Sequence, residues 1–194
     1  MKSKFNVSAG AILMLSALYF FGGLKSVFEV ILAAAMHELG HITAIKMFRG
    51  KIRAVRFDAS GFCMGCYGLN STAKEALSLA AGPMFGFVFS YIASHAGNMY
   101  GSVFLLETAG ISLIFSVFNL LPALPLDGGR ILFCLIPGRV AAETVLDFCG
   151  MTTGTVLAVA GLFCLGNEKG AALLIAGVWV LIAQTGIVKN FRML

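Results

Sequence analysis

Polar residues are sparse along this chain, and the intervals between charges set its elements. Uncharged runs cover residues 5–24, 76–106, 108–126, 148–167 and 170–188, and a helix that spans a bilayer needs about 20 apolar residues. Four runs match one helix each. The run 76–106 is longer, and His95, Gly97 and Asn98 place its exit from the bilayer near its end. A sixth apolar stretch, 27–48, is interrupted by Glu29, His37, Glu38, His41 and Lys46. Between the second and third helices the period changes. Lys51, Arg53 and Arg56 alternate, or nearly so, with Ile52, Val55 and Phe57, and a Gly- and aromatic-rich stretch follows Asp58 and Gly61. Period-two patterning around a turn predicts a β-hairpin over about 50–70, laid along the membrane surface with an edge open to an added strand. The predicted class is an all-α polytopic membrane protein: about six transmembrane helices and a small membrane-associated β-hairpin in a single unit over 1–194. The first two spans are separate helices at about 9–24 and 27–48, and the third ends near Ser94. Residues 131–137 form a short apolar return, and 138–147 an amphipathic connector.

Composition agrees. Of 194 residues, 59% are hydrophobic and 12% charged, against about 25% charged in an average soluble domain. A small domain keeps too much surface to hide that apolar content from water, and the composition is the opposite of a disordered chain. Lys2 and Lys4 precede the first run as in a signal peptide, but the run is long and lacks a small-x-small cleavage site, so it reads as a retained span. With a cytosolic N-terminus and six spans, all but Lys25 and Lys169 of the 14 Lys and Arg residues fall on the cytosolic side. Both termini are therefore expected there. The net charge of +5 is a topology signal spread along membrane edges, and no nucleic-acid partner is expected. The five cysteines are odd in number and argue against a disulfide framework. Cys63 and Cys66 form a lone CxxC without the second pair a zinc ribbon needs; a structural role leads, with metal or redox chemistry on the hairpin as the alternative.

Two segments carry chemistry. His37-Glu38-Leu39-Gly40-His41 matches HExxH. Helix residues four apart share a face about 6 Å apart along the axis. Two imidazoles so placed suit a zinc ion, and Glu38 beside them suits a general base for water. Ionisable groups inside a span are costly unless partnered, which weakens a chance match. The second segment, Asn119 to Arg130, reads NLLPALPLDGGR. Its prolines and glycines cannot continue a regular helix, and broken backbone at membrane depth is tolerated only inside protein or beside a water-filled cavity. Asp127 is the acidic group there, a third metal ligand or an Asx turn before Gly128. Asn119 is a substrate-backbone or oxyanion partner, or a helix-end amide satisfying local backbone. His95 reads as interface polarity and Glu107 as the cap of its helix.

HELGH in the second span, Ala81-Gly82-Pro83 in the third and NLLPALPLDGGR after the fourth resemble the site-2 protease family of intramembrane metalloproteases, over about residues 30–138. The resemblance implies Zn2+ held by His37, His41 and Asp127, Glu38 as general base, Asn119 engaging substrate, and the hairpin presenting an extended peptide. The build is most similar to the compact sporulation factor IVFB-type branch, which processes a membrane-associated pro-sigma factor. A membrane inhibitor protein is then an expected partner, and the bacterial cell membrane, including the forespore membrane, the expected location. That branch carries a nucleotide-sensing CBS domain with no counterpart here, so regulation through it is not expected. Many relatives place an asparagine shortly after Gly-Pro, and here Met84-Phe85-Gly86 follows. Three rivals stand beside this reading: an anti-sigma-factor protease, a non-catalytic membrane-embedded binding protein of the same fold, and a zinc transporter. Transporters often show internal repeats, and the sequence shows none.

Overall fold

The computed structural model describes the backbone of residues 4–7, 9–58, 61–69, 71–165 and 168–191. The chain divides into two units, residues 1–119 and 120–194.

The first unit runs β1 (Lys4–Val7), α1 (Ala9–Met47), β2 (Lys51–Asp58), β3 (Gly61–Tyr67), α2 (Thr72–Tyr100) and α3 (Val103–Asn119). The strands form one sheet in the order β1-β2-β3. β1 lies parallel to β2 with Lys4 opposite Ala54, a pairing the sequence reading did not contain. β2 and β3 are antiparallel, from Lys51 opposite Tyr67 to Asp58 opposite Gly61, with an irregularity between Ile52 and Ala54. The side chains of Arg53, Arg56, Cys63 and Cys66 lie outside the described residues.

Two expectations are corrected in this unit, and the break between the first two helices is located. The range α1 holds two helices that meet at Gly23, whose φ of 70° and ψ of −175° are not helical and which glycine reaches without steric cost, next to the break expected between 24 and 27. Just beyond Gly23, the Lys25 ammonium bonds the carboxylate of Glu107 on α3. Glu107 is thereby a partner of Lys25 rather than a helix cap. The third helix does not stop near Ser94 but continues to Tyr100. Its late polar residues are accommodated in place: Asn98 Nδ2 donates to the Ser94 carbonyl (3.0 Å), and His95 is exposed. The helix ends where Gly101 adopts a left-handed φ of 63° and returns its N–H to the Gly97 carbonyl.

α1, α2 and α3 pack on one another through small residues. In lipid, where apolar burial between helices contributes little, close backbone approach and interhelical hydrogen bonds take over. Ser90 Oγ donates to the Ala109 carbonyl (2.7 Å), and Ser112 Oγ donates to the Gly86 carbonyl (3.0 Å).

The second unit holds turns over 120–126, then α4 (Asp127–Leu135), α5 (Arg139–Phe163) and α6 (Glu168–Phe191). The predicted apolar return at 131–137 is mostly the helix α4. The predicted connector at 138–147 is the first part of α5. The charges that suggested a connector sit at helical spacing: Arg139 Nε bonds Glu143 Oε1 at 3.0 Å across one turn. Ala142, Leu146, Gly150 and Gly154 continue a buried stripe along the same helix. α6 packs against that stripe. Gln184 is buried and its Nε2 donates to the Leu146 carbonyl (2.8 Å), with Gly150 leaving room for the amide.

A side chain at Gly161 would meet the backbone of Leu174 on α6, which cannot rotate away. Gly161→Val is therefore expected to destabilise the α5–α6 pair by about 1–3 kcal/mol. Gln184→Leu, which removes one interhelical hydrogen bond, is expected to cost under about 1 kcal/mol. Thermal unfolding in detergent micelles orders the two.

Among the described residues, three helices are long and apolar enough to cross a membrane: Gly22–Met47 within α1, Thr72–Tyr100 and Arg139–Phe163. Val103–Asn119 and Gly170–Gln184 are shorter apolar helices.

Candidate metal centre

The HELGH sequence occupies one turn of α1 inside the stretch long enough to span. His37 and His41 are 2% and 8% exposed, so both imidazoles are withdrawn from lipid and water alike. Their four-residue spacing puts them on the face that α2 and α3 cover. The two Nε2 atoms stand 3.2 Å apart, with the rings edge to face at a centroid distance of 4.9 Å. His41 Nδ1 lies 2.8 Å from the carbonyl oxygen of Ser78 on α2. A carbonyl only accepts, so Nδ1 carries the proton and the lone pair of the neutral ring falls on Nε2. On the other side, the His37 ring meets the Phe115 ring of α3 edge-on at 5.0 Å. The donor atoms of His37, Glu38 and His41 all lie within 4.8 Å of one another, a group that can hold a metal ion.

The donors fit zinc. Nitrogen ligands about 2.0–2.1 Å from a tetrahedral ion stand about 3.3 Å apart, which matches the observed Nε2 separation of 3.2 Å. The space for that arrangement comes from α2. A Cβ at Gly82 would fall into the His41 imidazole, so only glycine leaves the ring where it is. A Cβ at Gly40 would meet the Ala81 carbonyl and stand 2.8 Å from Phe85 Cβ, which keeps α1 and α2 close.

The other predicted residues are placed as follows. Asn119 is the last residue of α3, buried, and its Nδ2 donates to the Phe115 carbonyl (3.0 Å), so the local-backbone role is filled for that group. Asp127 belongs to the second unit, where it opens α4 and is buried. A helix N-terminus favours a carboxylate there, and Arg130 Nη1 stands 3.9 Å from its Oδ1. Side chains at Gly128 and Gly129 would strike the backbone of Leu120 and Ala123, so the broken segment folds tightly under the start of α4.

Three residues of the site escape a reading by residue type. Ser78 acts through its carbonyl, which no side-chain motif reports, while its hydroxyl bonds the Lys74 carbonyl (2.8 Å). Gly82 carried a signal, in Ala81-Gly82-Pro83, but one that reads as helix packing. Phe115 carried none, being one of 17 phenylalanines.

Comparison with known proteins bears on the same segments. A family model described as peptidase family M50 matches residues 97–161, a stretch holding Asn119 and Asp127 but not the His37–His41 turn. A zinc metalloprotease of Methanocaldococcus jannaschii is 26% identical over 140 residues, covering 67% of this chain and 40% of that protein. The chain thus spans two-fifths of the length of that curated relative. The solved structure of a site-2 protease from Methanocaldococcus jannaschii superposes with a TM-score of 0.73 over 96% of this chain and 92% of that one, at 19% identity. That likeness establishes the fold as the one the site-2 protease has.

Proposed function

We propose that the chain is an intramembrane zinc metalloendopeptidase of the site-2 protease type, and that it hydrolyses a peptide bond in a membrane-associated regulatory protein. A pro-sigma factor is the preferred substrate class. The observation that carries this reading is the His37–Glu38–His41 donor group, with both imidazoles buried, inside an apolar helix, where ionisable side chains are costly. His37 and His41 would hold the ion through Nε2, with Asp127 as third ligand, its negative charge offsetting the ion's. Zinc supplies a Lewis acid for the scissile carbonyl and makes water acidic enough to attack near neutral pH.

Everything else is done by the chain. Glu38 takes the proton of the attacking water and returns it to the leaving amine. The Ser78 carbonyl fixes the His41 tautomer. Asn119 engages the substrate backbone through its amide. The peptide enters extended, because a helix hides its carbonyls in internal hydrogen bonds, so helix-breaking residues near the cut favour cleavage. The β2–β3 pair lies along the membrane surface and offers an edge to that extended peptide. The membrane is a bacterial cell membrane, crossed about six times with both termini cytosolic, and a membrane inhibitor protein is a further partner.

The test is co-expression of wild type and Glu38→Gln with a tagged pro-sigma factor and a tagged single-span anti-sigma factor, read by blot. A shortened pro-sigma factor with wild type alone is the expected result, with Glu38→Gln reduced by about 10²–10⁴-fold at equal protein level. A shortened anti-sigma factor instead keeps the peptidase and changes the substrate. Equal cleavage by Glu38→Gln overturns the mechanism. Co-purification of a partner with no cut product under any condition favours the non-catalytic binding protein.

A further inference from the structure

A second buried ionisable group lies on the helix that carries the histidines. Glu29 stands two turns before His37 on α1 and is 3% exposed. A carboxylate in a spanning helix is expensive unless a cation meets it. Here the cation is Lys25, one turn back, whose Nζ lies 3.7 Å from Glu29 Oε1. The same Nζ bonds Glu107 Oε2 on α3. One ammonium thus joins two carboxylates on two helices, immediately after the Gly23 kink.

Further along, α1 and α3 meet again at His37 and Phe115. Eight residues separate Glu29 from His37, and eight separate Glu107 from Phe115, about 12 Å on each helix. The two helices therefore run parallel and in step between two rungs, one ionic and one aromatic. The stretch between them is smooth. It holds the buried Ala33 on α1 and the buried Thr108 and Ser112 on α3. Neither hydroxyl bonds α1: Thr108 Oγ1 donates to Phe104 and Ser112 Oγ to Gly86 on α2. Small side chains give shallow ridges, which hold a longitudinal register weakly. The ionic rung adds a directional hold at one height, through the half-exposed Lys25 and Glu107 and the buried Glu29.

We propose that Lys25, Glu29 and Glu107 form a positioning cluster that sets the height of the His37–Glu38–His41 turn against α3, and so aligns the metal donors and the base with a substrate peptide held at the Phe115–Asn119 end of that helix. The proposal rests on the peptidase reading above. None of the three residues touches the reacting atoms. Their effect is on alignment, where a shift of about 1 Å costs on the order of a hundredfold in rate.

The experiment uses the full-length zinc-loaded protein in micelles, with Lys25→Glu, the milder Glu107→Gln, and the exchanged pair Lys25→Glu/Glu107→Lys. The exchanged pair again places one ammonium between two carboxylates. The chain has three histidines, so 15N-histidine labelling gives a separate signal for His37, sensitive to the Phe115 ring, with the exposed His95 as internal reference. Lys25→Glu is expected to lower kcat by about tenfold to a hundredfold, with KM within twofold, and to move the His37 signal but not that of His95. Glu107→Gln is expected to act in the same direction and more weakly, and the exchanged pair to restore both readouts. Unchanged kcat and an unchanged His37 signal in Lys25→Glu and Glu107→Gln overturn the proposal, as does an exchanged pair no better than Lys25→Glu alone. If the wild type cleaves no tested substrate, the peptidase reading falls while the His37 signal and its restoration still decide the positioning role.

Discussion

Protein carrying His41→Ala is expected to leave purification without zinc and to cleave about a thousandfold less than wild type, the loss of several kcal/mol of charge stabilisation. His41 is half of the nitrogen pair, with its Nε2 3.2 Å from that of His37. It is also the ring whose tautomer is set from outside, by the Ser78 carbonyl. On the proposed reading alanine removes a ligand, and it leaves that carbonyl without its imidazole partner. The reference is His95→Ala, a change at an exposed position on α2 that is expected to keep full zinc content. Elemental analysis of dialysed protein reads the stoichiometry. Wild type stripped by chelator is expected to lose activity and to regain it with zinc, whereas His41→Ala is expected to regain none. A full zinc equivalent in His41→Ala would place the ion elsewhere in the chain.

The second large effect is expected from one carbon atom. Gly82→Ala puts a Cβ into the His41 ring, and the atoms met are the far end of a side chain rather than backbone. The ring yields, because moving it costs less than separating two packed helices. It then loses both the Ser78 carbonyl and the alignment of Nε2 with His37. Changing the partners that orient a metal ligand typically costs 10–100-fold in metal affinity, and about the same loss is expected here, with the fold intact by circular dichroism. Gly40→Ala makes the contrasting case on the same helix pair. Its Cβ meets the Ala81 carbonyl, which is backbone, so α1 and α2 must part. That variant is expected to lose thermal stability and zinc together. A Gly82→Ala protein that melts early, or a Gly40→Ala protein that loses zinc alone, would reverse the assignment of the two glycines.

Much of the candidate site could be read from spacing, because its parts are local. His37 and His41 share a helix face as a consequence of being four residues apart, and their burial follows from an apolar surround. The break expected over 119–130 was visible in its prolines and glycines; it is confined to 120–126, and Asp127 stands where it ends and α4 begins. What escaped was either non-local or not a side chain. The His41–Ser78 bond joins residues 37 positions apart through a carbonyl that every residue possesses. The pairing of β1 with β2 links strands separated by the whole of α1, and nothing in Lys4–Val7 announces its partner. Two boundaries were misread for a common reason. Polar residues were taken as ends of helices, yet Asn98 bonds the Ser94 carbonyl within α2 and Arg139 is met by Glu143 within α5, and a polar group satisfied in place does not end a helix.

The α5–α6 seam has a consequence for how freely this sequence can drift. Gly154, Gly161 and Gly177 each face the opposing helix so closely that an added Cβ would meet backbone or a packed leucine. The outward residues of the same helices, among them Phe148, Val156, Phe163 and Ile175, are exposed and are expected to meet only lipid tails. Interchange among leucine, isoleucine, valine and phenylalanine at those positions changes little in a hydrocarbon solvent. Saturation mutagenesis of this pair would therefore give an almost binary map: a narrow intolerant line of glycines with broad permissive flanks. The fitness landscape of the second unit is written on the inner seam of its helices.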